Sequence, residues 1–274
     1  MTSSSSRFDQ NFARQIVTLA SIISTFAVNA LSNVVPINGL TIGEISNSEF
    51  GGVMIIPANY AFAIWGLIYL GLFAFGAYQV SPAQRENPRL QRGGYWLAIA
   101  CLVQIVWVFL FLNRLFWLSV VAMIGILLSL IRYYMRLGIG AEKVSRRDRG
   151  LIDVPISIYL GWISVATVVN VASALYSVNW AGWGISETAW TMIMLLVTTA
   201  IAAVIAIRRV DIPYICVIIW AFVAIAVRQS DTIPIAVTAI ATSVILALIV
   251  LIRRFMTNQT TKTRQMSANR PEIK

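Results

Sequence analysis

The chain has 274 residues, of which 58% are hydrophobic and 12% charged, with a formal net charge of +10. Soluble domains carry about 25% charged residues, so a soluble enzyme is excluded. The recurring apolar runs approach or exceed the roughly 20 residues of a membrane-crossing helix. The fold class is therefore an all-α polytopic membrane protein, since a β-barrel would show alternating segments of about ten residues instead of continuous apolar blocks.

The chain contains no histidine. This removes Ser-His-Asp triads, imidazole acid–base chemistry and most zinc or copper sites. Cys101 and Cys216 stand alone in apolar runs and read as small buried hydrophobes. No catalytic residue, metal ligand or obligatory cofactor is assigned.

A polar tail over residues 1–15 precedes the first span, Ile16–Val35, which holds Asn29 and Asn33 one helical turn apart. Val28-Asn29-Ala30 resembles a signal-peptide cleavage site, but the apolar stretch is longer than a signal core and Asp9 lies in the tail, so a retained span is expected. The following loop, Pro36 to Ile56, has Glu44, Glu49, four glycines and no basic residue. It reads equally as a lid or as a plain connection.

The second span, Pro57–Tyr78, places Trp65 about 12 Å below its outer end, at 1.5 Å per residue. The third, Tyr95–Leu112, puts Trp107 about 9 Å and Gln104 about 13 Å down. The fourth is Leu115–Ile131. The fifth, Leu151–Tyr176, sets Asn170, Ala166 and Trp162 at about 9, 15 and 21 Å. Indole faces, a few amides and a small alanine suit a flat, largely apolar ligand; the alternative is a tryptophan-rich core in which the amides join helices.

Three more spans follow, Thr188–Ile207, Ile212–Val227 and Thr232–Ile252, and then a basic, irregular tail from 257 to 274. Nineteen of the 21 Lys and Arg residues fall in the two termini and in alternate connections, leaving only Arg114 and Arg228 on the other side. That bias predicts both termini in the cytoplasm and a basic face toward anionic lipids, so the charge calls for no nucleic acid. Trp117, Trp180, Trp183 and Trp190 lie at or near the opposite span ends, as an aromatic belt would. No Asp, Glu or Lys lies in mid-span, which argues against a proton-coupled pump but not against passive carriage of an apolar molecule.

The second span reads Ile56-Pro57-Ala58-Asn59-Tyr60-Ala61-Phe62-Ala63-Ile64-Trp65, with Tyr69 a turn later. The third carries Gln104, Trp107, Phe111 and Leu112, and the fifth Tyr159, Trp162, Ala166 and Asn170. In order and spacing these partial motifs resemble the TspO/MBR family of tryptophan-rich sensory proteins. The departures are Ile56 for a first proline, Ala61 for a phenylalanine with Phe62 adjacent, Gln104 for asparagine, and Pro155 displaced from Ile158. The resemblance covers about residues 10–180, which implies a five-helix bundle over 16–180 and three additional helices over 181–256.

It also implies a cavity that opens toward the first outer loop and binds a porphyrin-like molecule. Trp65, Trp162, Ala166 and Asn170 would line it, with Trp107 and Gln104 at its border, Phe62 nearby and Tyr69 deeper. Porphyrin would be a ligand and not a resident cofactor. The end of the fifth span, Leu175-Tyr176-Ser177-Val178-Asn179-Trp180, lacks the Lys or Arg of the family's sterol motif, which disfavours a sterol. Without histidine, a metal-free porphyrin or a bilin is an easier guest than haem.

The expected function is tetrapyrrole binding and sensing in a bacterial inner membrane or a thylakoid. The rivals are a facilitative carrier of an amphipathic molecule, a structural subunit of a membrane complex and, as an enzyme, tryptophan-assisted tetrapyrrole photodegradation. A homodimer is an allowed assembly.

Overall fold

The computed structural model describes residues Thr2–Ala268, with side chains from Gln10 to Met256. Eight long helices form it: α1 (Thr2–Val34), α2 (Ile64–Gln79), α3 (Trp96–Leu112), α4 (Phe116–Leu137), α5 (Val154–Ser177), α6 (Glu187–Arg209), α7 (Ile212–Arg228) and α8 (Ile233–Ala268). The described residues contain no strand. Each apolar run in the sequence becomes one helix. α2, α3 and α7 are the short ones, at 16, 17 and 17 residues. The polar stretch from Thr257 continues α8 as helix to Ala268, and residues 269–274 of the expected tail lie outside the described residues.

The first five helices close into a ring. α1 packs on α3, α3 on α4, α4 on α5, α5 on α2, and α2 back on α1. Small residues permit the close crossings: a Cβ on Gly71 of α2 would lie 3.2 Å from Pro155, and one on Gly125 of α4 would lie 3.3 Å from Val103. In hydrocarbon, helix association rests on such packing and on interhelical hydrogen bonds. Here Thr25 Oγ1 donates to the Cys101 carbonyl (2.9 Å), joining α1 to α3, and Gln79 Nε2 donates to the Gln15 carbonyl (2.9 Å), joining α2 to α1.

The other three helices form a separate layer. α7 docks on α5, α8 on α7, and α6 on α8. A Cβ on Gly161 of α5 would sit 3.1 Å from both the Tyr214 carbonyl oxygen and Val217 Cβ, so glycine lets α7 approach. The buried Asp211, just before α7, fastens it to the ring by accepting from Tyr134 (2.8 Å), Ser157 (2.7 Å) and its own Tyr214 N–H (3.2 Å). Cys101 is buried as expected, but Cys216 is exposed, because its side of α7 faces away from α5 and α8.

The two ends of the bundle differ in charge. At one end Arg89 pairs with Asp153 (2.7 Å, both buried), Arg92 with Glu142 (2.8 Å), and Arg209 Nη1 reaches the Ile139 carbonyl (3.3 Å). The single ion pair at the other end, among the described residues, is Arg114 with Glu49 (2.8 Å).

The loop after α1 is a folded cap. It contains a short helix, Ile42–Ser48, begun by a capping box between Thr41 and Glu44. Ile45, Phe50, Val53, Ile55 and Ile56 are buried beneath it, so its apolar residues hold it on the bundle.

Candidate functional site

At the cap end, the ring encloses a cavity of about 440 Å³. Its walls include Trp65 from α2, Trp107 and Phe111 from α3, Met123 from α4, and Trp162 and Ala166 from α5. Asn29 and Asn33 of α1 complete the ring, and residues of the Ile42–Ser48 helix roof it.

Six of the eight residues singled out in the sequence line this space: Phe62, Trp65, Trp107, Trp162, Ala166 and Asn170. Gln104 and Tyr69 do not. They form a buried chain beside the aromatic wall: Tyr159 Oη donates to Gln104 Oε1, and Gln104 Nε2 donates to Tyr69 Oη (3.0 Å). Trp65 stacks on Tyr69 with ring centroids 5.6 Å apart and meets Tyr159 at 6.3 Å.

Asn170 does reach the cavity wall, yet its amide is engaged. Trp107 Nε1 donates to Asn170 Oδ1 (2.8 Å), and Asn170 Nδ2 donates to Ser119 Oγ (2.9 Å). The two amides that the sequence offers as ligand partners are therefore structural ties between helices, holding the rings of Trp107 and Tyr159 in place. The free hydrogen-bonding capacity lies elsewhere. Among the described residues, the side chains of Asn29, Asn59 and Ser173 and the indole N–H groups of Trp65 and Trp162 have no hydrogen-bond partner. Asn29, Ser173 and Trp162 are 9%, 2% and 3% exposed. Their position on the wall makes them the polar groups available to an occupant. Asn29 stood out in the sequence as a polar residue in an apolar run. Ser173 carried no such signal, because serines in membrane helices more often bond to their own backbone.

Depth counted along a straight helix misplaces part of the site. Phe62 and Trp162 meet edge to face at 5.9 Å, although counting puts them at very different levels. Part of the difference is that residues Pro57–Ala63 are not α-helical, so the α-helical rise does not apply to them: a 3₁₀ turn over Asn59–Ala63 precedes α2. Irregular backbone at membrane depth requires protein partners, and α7 supplies them. Ala58 N donates to the Ala224 carbonyl (3.0 Å), Trp220 Nε1 to the Ala61 carbonyl (3.2 Å) and Gln229 Nε2 to the Met54 carbonyl (3.0 Å). Arg228 Nη1 bonds to Asn47 Oδ1 (3.1 Å). The C-terminal layer thus fixes the segment that carries Phe62 into the cavity.

The one ionisable residue on the wall is Glu44. Its carboxylate accepts from the Thr41 backbone N–H (2.7 Å), which holds it below the usual carboxylate range, and its own N–H bonds to the Thr41 hydroxyl. No Lys or Arg lines the space. Among the described residues no group of three His, Cys, Asp or Glu side chains converges in a way that could hold a metal ion.

A ring of membrane helices around an aromatic, weakly polar cavity defines a helical membrane protein with a small-molecule pocket. A profile of the TSPO-like protein family matches residues 15–252, and the chain belongs to that family. The match does not stop at α5 but continues through α6, α7 and nearly all of the apolar part of α8. No curated protein and no solved structure matches the chain.

Proposed function

We propose that this protein binds a planar, largely apolar tetrapyrrole in the cavity walled by Trp65, Trp107 and Trp162, and acts as a membrane receptor for it. The observation that carries this reading is the convergence of three indoles and two phenylalanines on one cavity whose free polar groups are neutral. The size lies within the roughly 300–1,000 Å³ of small-molecule sites. Indole faces offer area and stacking, while Asn29, Ser173 and the Trp162 N–H supply direction. The absence of a basic wall residue favours a neutral macrocycle core as the recognised part, with any carboxylates of the ligand left toward the cap opening. The role is binding, without catalysis and without a resident cofactor.

The basic end faces the cytoplasm and its anionic lipids in this reading, because 19 of the 21 Lys and Arg residues fall in the termini and alternate connections of the sequence. A facilitative carrier is the second reading. It would have to part the buried Tyr159–Gln104–Tyr69 chain, which favours a receptor.

Protoporphyrin titrated into purified full-length protein tests the site, read by tryptophan quenching and by the porphyrin absorbance. Ala166→Phe, which narrows the cavity without removing a tryptophan, is expected to weaken binding at least tenfold. Equal affinity in both proteins sinks the assignment. Protein-dependent release of porphyrin from loaded liposomes would favour the carrier instead.

A further inference from the structure

The structure contains a second cavity on the opposite side of α5. It measures about 560 Å³ and lies between α5, α6 and the cap residues Gly52–Ile55. Its origin is topological. α5 packs on α2, α4 and α7, whereas α6 packs mainly on α8. These consecutive helices leave a groove between them instead of a seam. Val168, Val171, Ala172 and Leu175 form one stripe of α5, and Glu187, Trp190, Thr191 and Met194 form one stripe of α6. Each stripe covers about 10 Å of helix. Ala166, Val169, Asn170 and Ser173 project to the other face of α5, into the first cavity, so α5 is the partition between the two.

Two features set the chemistry of the groove. The first is its mouth. Trp180, Trp183 and Trp190 form a cluster with centroids 5.4, 5.4 and 6.0 Å apart, their planes inclined by 50–79°. Trp190 is pinned by its indole N–H to the Gly182 carbonyl (2.8 Å). Trp183 is held at φ 52°, a strained region for a tryptophan, and is 80% exposed. Residues held in such backbone regions are enriched at binding sites. The second feature is charge: Glu187 is the one charged residue of the lining, and no Lys or Arg is present. Inclined indole faces attract cations, and a quaternary ammonium, which needs no hydrogen-bond acceptor, suits them best. Deeper in, the stripes are mostly aliphatic. The one hydroxyl on them, Thr191, bonds to its own helix at the Glu187 carbonyl (2.9 Å). An apolar space with so few polar partners does not hold water well.

We propose that the α5–α6 groove is a binding site for a membrane amphiphile, with one acyl chain between the helices and a quaternary ammonium head on the Trp180–Trp183–Trp190 cluster beside Glu187. The site is independent of the tetrapyrrole reading, since it uses the other face of α5.

The test is photo-crosslinking of the full-length protein in phosphatidylcholine vesicles doped with a phosphocholine lipid carrying an acyl diazirine, followed by peptide mapping. Residues 171–194 should label at least fivefold more than the outward face of α6 at Leu196, Ile201 and Val204, which are about half exposed. The same acyl chain on a phosphoglycerol head should label the groove at least threefold less. Ala172→Trp should remove the enrichment while protoporphyrin affinity stays unchanged. The exposed Trp183→Ala should abolish the head preference even if Ala172→Trp does not fold. Equal labelling of groove and outward face overturns the proposal, as does a groove signal indifferent to head group and to Trp183→Ala.

Discussion

The five-helix ring and the three-helix layer share back-bonded hydroxyls, such as Ser129 to Gly125 and Thr167 to Ile163 in the ring, but differ in how many side chains tie one helix to another within them. In α6 and α8 the hydroxyls turn back on their own helices: Thr198 to Met194, Thr199 to Leu195 and Ser243 to Ala239. In the ring, amides and aromatic polar groups, with Thr25, also cross between helices: Thr25 to Cys101, Trp107 to Asn170, Asn170 to Ser119, and Gln104 to two tyrosines. Back-bonded hydroxyls are satisfied within their own helix and make no tie to a neighbour. Cross-bonded amides fix the rotation of each helix relative to its neighbour. A cavity persists where rotation is fixed in this way, because the aromatic walls cannot turn inward to fill it. The layer is held by close packing at Gly161 and by the hydrogen bonds around Asp211, and in return it ties down the segment before α2.

This contrast can be broken most severely at Asp211. Asp211→Ala removes the acceptor shared by Tyr134, Ser157 and the Tyr214 N–H. Leaving buried donors unpaired costs roughly 3 kcal/mol here, so a fall of several degrees in the melting temperature of the detergent-solubilised protein is expected. An unchanged melting temperature would mean that α7 is held by packing alone. A smaller effect is expected from Gly161→Leu. The added side chain collides with the Tyr214 carbonyl and Val217, at about 1–3 kcal/mol for overpacking. It should lift α7 from α5, detected as faster amide exchange over residues 54–61. The mildest is Trp220→Phe, which deletes one hydrogen bond, to the Ala61 carbonyl. A loss of about 1 kcal/mol should raise exchange at 58–62 without moving the melt by more than a degree or two. If exchange there stays at the wild-type rate, α7 does not fix the segment.

The number of the long helices was legible from the chain, but not all of their limits: α1 begins at Thr2 within the expected polar tail, α2 starts only at Ile64, and α8 runs on to Ala268. Lys and Arg fall where the bundle ends, and hydrophobic length needs no knowledge of neighbours. Much of the cavity was legible too: Trp65, Trp107 and Trp162 stood out because a bulky indole deep in a span needs a packed or ligand-filled environment. The roles of Asn170 and Gln104 were not. An amide in an apolar run shows that a partner exists, but not whether that partner is a ligand or another side chain. The cap gave too little signal as well, because Ile45, Phe50 and Val53 are scattered along a polar loop and become a core only once the ring is beneath them.

The sequence by itself determined a membrane-spanning all-helical chain with a charge-poor and a charge-rich end, because hydrophobicity and charge are counted along one dimension. Only the tertiary structure decided which faces of α5 meet which space, that Pro57–Ala63 enters the bundle as irregular backbone, and that α6 stands away from α5 to open a second groove. Those outcomes depend on how each helix is rotated and where it crosses its neighbours. That is set by contacts between residues far apart in the chain, such as Gly161 with Tyr214 and Trp107 with Asn170.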